Sequence, residues 1–287
     1  MKKFTSQEIK EFVSKPMFDE KVILNKDPNW PKISIVTPSY NQAEFLERTI
    51  LSVLNQNYPN LEYIIIDGGS TDGSVEIIKK YEKYLAYWVS EKDRGQSHAI
   101  NKGFKKATGE ILAYLNSDDL YLPCALSFIS DFFRRGIADL IYGHSYVIDS
   151  KGNILNLAVA LPFKLKEHLY GCFSIPQQSS FWKKEVFEST SGFNEKNKTC
   201  MDGEFYVIAS TKGYKFMHVN KVLACFRIHK NSISGSGRLK SQYIEDLRRI
   251  RKDILGYEPS LFEYKIKDLF FRIKYTPIKI KSRMFYL

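Results

Sequence analysis

Short apolar runs, polar turns and stretches of helical periodicity alternate through the first 125 residues. Ile33-Ser34-Ile35-Val36-Thr37 reads as a strand. Asn41 then opens a helix, with Glu44 three residues on as a capping-box partner. Leu46, Ile50, Val53 and Leu54 share one face of it. Tyr63–Ile66 is a second strand, followed by a turn over Asp67–Gly73 and a helix from Ser74 to Tyr84. Trp88-Val89 is a short strand, a helix runs from Gln96 to Ala107, and Ile111–Leu115 is strand-like again. The strands are apolar at consecutive positions, as strands of a parallel sheet covered on both faces must be. Their alternation with helices predicts right-handed βαβ units in a doubly wound α/β fold.

Beyond residue 125 the pattern is mixed, and a small antiparallel portion is expected there. Asp139–Tyr142 and Ser145–Ile148 read as strands, and Ser150-Lys151-Gly152-Asn153 as a hairpin turn into Ile154–Ala158. A helix from Asp202 to Lys212 ends at Gly213, a good residue for the position just past a helix. Phe216–Val219 and Val222–Phe226 are further strands. Residues 1–31 form a polar lead-in closed by the breaker cluster Asp27-Pro28-Asn29-Trp30-Pro31. The expected organisation is a lead-in over 1–31, one globular domain over 32–234 and a helical appendix over 235–287. In the appendix Ile244, Leu247, Ile250 and Ile254 keep helical spacing. Farther on, Leu261, Phe262, Leu269, Phe270, Phe271, Ile273 and Tyr275 interleave with Lys265, Lys267, Arg272 and Lys274. Such a helix suits either a membrane interface or packing on the main domain, since amphipathicity fits both.

Composition changes this picture little, and charge changes it more. Hydrophobic residues make up 44% and charged residues 26% of the 287, ordinary values for a soluble globular chain. No apolar run approaches the roughly 20 residues of a membrane span. Met1–Glu8 has no apolar stretch behind its basic residues, so no secretory signal is expected. The four cysteines are scattered without a CxxC pair and read as reduced packing residues. A cytoplasmic location follows as the expectation, with peripheral attachment to the inner face of the membrane as an extension of it. The net charge of +11 is uneven, with 13 Lys/Arg against 6 Asp/Glu in the last 50 residues. Anionic partners are therefore expected: a nucleotide, a phosphorylated lipid or an anionic membrane surface. No nucleic-acid-binding motif is present, and nucleic acid is not an expected partner.

The chemistry concentrates where strands end. In open α/β sheets the ligand crevice lies beyond the carboxyl ends of the strands. After the apolar run at 111–115 the chain turns abruptly polar, as Asn116-Ser117-Asp118-Asp119. Adjacent carboxylates there need a cation, a donor or water, and a hard divalent ion completing its shell with phosphate oxygens fits. The same stretch also reads as a solvated loop or a helix cap. Three other segments meet it on one sheet edge: Thr37-Pro38-Ser39-Tyr40-Asn41, Asp67–Asp72 and Asp93-Arg94-Gly95-Gln96. Together they offer an aromatic face for a base, carboxylates for hydroxyls or base N–H groups, an arginine and a metal ligand. That inventory matches a nucleoside diphosphate, although both the GxxxxGK[ST] loop and the GxGxxG turn are missing.

Taken in order, these motifs over residues 33–74, 88–123 and 201–234 resemble glycosyltransferase family 2, of the GT-A fold. The resemblance implies transfer of a sugar from a nucleotide diphosphate-sugar, a UDP-sugar by family habit, with inversion and with Mn²⁺ or Mg²⁺. It implies a glycan or lipid-linked acceptor in cell-surface polysaccharide synthesis. Carried over by residue, Thr37, Pro38 and Tyr40 match the base-binding segment. Asp67 matches a carboxylate near the base, and Arg94 a basic residue near the nucleotide. Asp118 matches the last acid of the DxD metal motif, whose first position here is Asn116, with Ser117 between them. Asp119 would support the site or cap a helix. Asp202 matches the general base that opens a helix, with Glu204 as the fallback. Arg227 and His229 match a segment that closes over the diphosphate, His229 as a metal or phosphate ligand. Gln177, Gln178 and Ser179 fall on the acceptor side, where Trp182 either stacks on a sugar or packs in the core. Two competing readings are a sugar nucleotidyltransferase, which should carry a Gly-rich basic loop at the first strand, and a non-catalytic nucleotide-sugar or glycan binder.

Overall fold

A computed structural model describes residues 3–172, 175–230, 232 and 239–287. The strands are β1 (Ile33–Ser39), β2 (Leu61–Asp67), β3 (Tyr87–Ser90), β4 (Ile111–Tyr114), β5 (Leu120–Tyr121), β6 (Leu140–Ile148), β7 (Ile154–Ala158), β8 (Ser180–Lys183) and β9 (Phe216–Arg227). The helices are α1 (Ser6–Phe12), α2 (Glu20–Asn25), α3 (Ala43–Leu54), α4 (Ser74–Lys80), α5 (Gln96–Lys106), α6 (Ala125–Arg134), α7 (Leu165–Leu169), α8 (Lys184–Ser189), α9 (Met201–Thr211), α10 (Lys240–Leu255) and α11 (Leu261–Tyr286).

One sheet runs β3-β2-β1-β4-β8-β6-β9-β5, with β7 paired to β6. Its first four strands are parallel, as the sequence predicts. Antiparallel pairs join β4 to β8, β8 to β6, β7 to β6 and β5 to β9, while β6 and β9 lie parallel. Side chains alternate between the two faces. Ile33, Ile35, Tyr63 and Ile65 point into one core, and Val36, Ile64 and Ile66 into the other. Helix α5 lies tight on the second face, because a Cβ on Gly103 would come within 2.4 Å of Val36.

The second half differs from its sequence reading in continuity. The paired short strands expected at 139–148 and 216–226 are single long strands, β6 and β9, whose pairing shifts register around His144. Gly143 breaks the apolar pattern there because a Cβ would meet the Lys221 carbonyl at 2.5 Å. Helix α3 begins after Gln42 rather than at Asn41, which adopts a left-handed backbone conformation. The polar lead-in folds into α1 and α2, which bury Ile9, Phe12 and Ile23 against the first core. The expected end of the globular domain at 234 lies outside the described residues.

Candidate active site

The ends of β1 and β2 are laced together by polar side chains. Asn41 Oδ1 accepts from the Thr71 amide at 2.9 Å, and Ser70 Oγ accepts from the Asn41 amide at 2.8 Å. Asp72 accepts from the amides of Ala43 and Ser74, the first residues of α3 and α4. Burial pushes the Asp72 carboxyl up, but the Ser74 hydroxyl and these amides outweigh it and hold the group below its ordinary value. These hydrogen bonds fix the two loops against each other.

Two expected binding residues point away from the crevice. Thr37 is fully buried, its hydroxyl 3.1 Å from the Tyr63 phenol. Asp67 is also fully buried and accepts from the Gly69 and Ser70 amides and from the Ser70 and Ser90 hydroxyls. Both sit on the strand positions that face the first core, so the pleat turns them inward. Arg94 reaches outward to Glu195 at 2.7 Å, with its side chain largely in solvent.

A different acid faces the exposed Tyr40 ring. Gly68 carries no Cβ, and one placed there would stand 2.8 Å from Asp93 Oδ2 and 3.3 Å from the Tyr40 ring. Asp93 Oδ1 accepts from the Gly95 amide at 2.7 Å. Asp93 and the Tyr40 ring thus both pack close over the bare face of Gly68. The sequence places Asp93 in the converging segment 93–96, where the resemblance gives the nucleotide role to Arg94.

At the end of β4, Asn116 Oδ1 accepts from Gln96 at 2.5 Å, and its Nδ2 donates to Asp119 at 3.3 Å. Asp119 is buried and also accepts from the Arg227 amide at 2.8 Å. Burial foremost, then the neighbouring Asp118 charge, raises its carboxyl well above the ordinary range. It caps no helix, since α6 begins after Cys124. Arg227, expected at the diphosphate, is 1% exposed and does not line the cavity. Its guanidinium donates to the carbonyls of Asp118, Asp149 and Ser150 and lies over the Phe45 ring. Arg227 thus braces the Asp118 loop from behind.

Asp118 Oδ2 stands 3.0 Å from His229 Nε2, and the His229 ring packs on Phe45 at 4.7 Å. Among the described residues no group of three or more His, Cys, Asp or Glu side chains gathers as a cage. Two protein donors still fit a Mg²⁺- or Mn²⁺-type ion, which keeps positions for water and phosphate oxygens. The imidazole nitrogen favours the transition ion of the two.

Asp202 is the second residue of α9, and no other side chain donates to it among the described residues. Desolvation raises its carboxyl above the ordinary value, opposed by the Gly203 amide and its own. A helix N-terminus favours the ionised form. Glu204, the fallback base, is spent elsewhere. It receives Arg249 at 2.7 and 2.8 Å, Asn197 at 2.7 Å and Asn194 at 3.0 Å. Burial pushes its carboxyl up, but these donors prevail and hold it low. Trp182 is fully buried among Phe104, Tyr114 and Phe205, and so packs in the core.

A cavity of about 560 Å³ collects Pro38, Tyr40, Asn116, Ser117, Asp118 and Asp202 from the expected set. It also takes in Asp93 and Gln96 from the expected segment 93–96, Gln177 and Gln178 from the expected acceptor side, and Lys198, which the sequence reading did not single out. Lys198 donates to the Arg94 carbonyl at 2.9 Å and brings a cation to the rim. A second cavity of about 200 Å³, walled by His168, Tyr206, Tyr243 and Arg251, shares Thr199 and Asp202 with the first.

A model of the family described as Glycosyl transferase family 2 matches residues 34–223. The chain is 31% identical over 222 residues to the putative teichuronic acid biosynthesis glycosyltransferase TuaG of Bacillus subtilis (strain 168), covering 72% of this chain and 84% of that one. Among solved structures, S. aureus TarS 1–349 in complex with UDP-GlcNAc superposes with a TM-score of 0.64 at 18% identity, over 83% of this chain and 69% of that one. The mannosyltransferase PcManGT from Pyrobaculum calidifontis, in complex with GDP-Man and Mn²⁺, gives 0.61 at 20%, over 90% and 73%.

Proposed function

The chain belongs to glycosyltransferase family 2, and from that premise we propose that it is an inverting enzyme that moves a sugar from a UDP-sugar to a glycan or lipid-linked acceptor. The observation that carries this reading is one cavity lined by both Asp118 and Asp202, with no other side chain among the described residues donating to Asp202. The base ring lies against the exposed Tyr40 ring, where the Asp93 carboxylate accepts a base N–H. Asn116 and Ser117 meet the ribose and diphosphate, and Lys198 adds charge at the rim. The acceptor enters from the second cavity. Asp202 takes the proton of its hydroxyl as the new bond forms at the anomeric carbon and the bond to the diphosphate breaks. The leaving group departs as nucleoside diphosphate. Asp118 and His229 would hold a Mn²⁺ or Mg²⁺ ion, which neutralises the leaving diphosphate when bound.

The UDP-GlcNAc held by TarS supports a uridine donor, and the Mn²⁺ held by PcManGT supports the ion. TuaG's name supports an acceptor in cell-surface polysaccharide synthesis. A panel of nucleotide-sugars with and without Mn²⁺, read by thermal stabilisation and nucleotide release, tests the reading. A UDP-sugar should raise Tm through preferential binding to the folded state, and Asp118→Ala should remove the ion-dependent part of the rise. A panel in which no donor stabilises the protein or releases nucleotide would refute it. Stabilisation without slow release would instead point to a binder.

A further inference from the structure

Helix α11 has two apolar faces, and only one is used by the fold. At 26 residues it runs about 39 Å at 1.5 Å per residue. Tyr275 and Tyr286 are buried on one side. Tyr275 donates to Glu167 at 2.5 Å, and Tyr286 to the Asn220 carbonyl at 2.7 Å. Tyr264 and Phe271 pack separately against α7 and α10. This face settles the packing half of the sequence reading: the helix is docked.

The opposite face is bare. Phe262, Ile266, Phe270, Ile273, Ile280 and Met284 are each half or more exposed. At about 100° per residue they fall within a single arc, and no charged residue shares it. Eleven of the nineteen large exposed apolar side chains among the described residues lie between Leu261 and Leu287. Contiguous exposed apolar surface of this kind marks an interaction site. Cations border it on both sides, with Lys265 and Arg283 along one edge and Lys281 along the other, while Arg272 and Lys274 on the same edges are paired with Asp268 at 2.8 Å and Glu167 at 2.7 Å. The acid on the latter edge, Glu263, is paired by Lys267 at 2.6 Å.

We propose that this face of α11 lies in the plane of an anionic lipid bilayer, its apolar side chains at the acyl boundary and its flanking cations on the headgroups. The pattern is that of interfacial helices, with an apolar stripe between basic borders. No described helix is long and apolar enough to cross a membrane, so the contact is lateral. A second copy of the chain is a poor occupant, because pairing two such faces sets cation rows against each other. A bilayer of negative headgroups meets both features at once. The inference does not rest on the proposed reaction, and its test uses no substrate.

Flotation of the full chain with phosphatidylglycerol/phosphatidylcholine vesicles and with phosphatidylcholine vesicles reads the claim directly. Binding should appear on the anionic vesicles and weaken at least tenfold on the neutral ones. F270E/I273E alters only exposed positions, so its circular dichroism and Tm should match the parent while vesicle binding is lost. K265E/K281E should weaken anionic binding by more than about tenfold, since each surface-proximal cation is worth roughly fivefold. Absence of anionic binding, unchanged binding by folded F270E/I273E, or a dimer that this variant dissociates without any vesicle binding would each overturn the proposal.

Discussion

Asp93 carries the nucleotide assignment at the scale of single residues. Its carboxylate borders Gly68 and the Tyr40 ring, whereas Asp67 has four donors within the protein and little capacity left. Asp93→Asn should therefore raise the Kd for UDP about tenfold, the cost of one charge-assisted hydrogen bond of roughly 1.5 kcal/mol. Isothermal titration of the nucleotide, with unchanged Tm as control, measures it. Gly68→Ala should weaken binding in the same direction, because the added methyl displaces Asp93 and the Tyr40 ring. Part of this was legible in the chain. Thr37 and Asp67 share parity with Ile35 and Ile65, and the two-residue period already aims them at the core. Their chemistry drew them into the binding set against that period. Asp118 was legible because a strand end fixes where a carboxylate goes, and Asp202 through the resemblance to the family. Lys198 was not, because it lies in a loop that meets the Asp93 segment only through the fold.

Between elements, the clamp of Glu204 on Arg249 ties α9 to α10 and so fixes the turn from which Asp202 projects. Glu204→Gln keeps the shape but removes the charge facing Arg249, whose own side chain is 39% exposed and can turn to water. Solvent reduces the penalty from that of a fully buried pair to about 2 kcal/mol. Denaturant titration should show that loss, while the transfer rate of the folded fraction should fall far less than in an Asp202 variant. The parallel half of the sheet was readable from its consecutive apolar runs, which only a two-sided environment explains. The β6–β9 pair was not, since Gly143 interrupts the pattern and long-range register has no local signature. Helices α1 and α2 were hidden by shortness, with too few turns to build a visible stripe.

Across the whole molecule, Asp202 lines two cavities, one of about 560 Å³ that also holds Asp118 and one of about 200 Å³, while α11 presents a basic-edged apolar face. Sequence periodicity left α11 open between packing and membrane because it has both faces, and only the docked tyrosines tell them apart. The reaction proposed for this assembly turns on the Asp202 carboxylate acting in its ionised form. Its raised pKa places the acid limb of kcat/KM above the usual Asp range, with rate climbing as pH rises through it. The decisive measurement is sugar transfer by Asp202→Asn, with donor affinity measured in parallel. Loss of the rate by 10²- to 10⁴-fold, with UDP-sugar Kd unchanged and the acid limb gone, is the expected result. Transfer at the parental rate with the parental pH profile would contradict it.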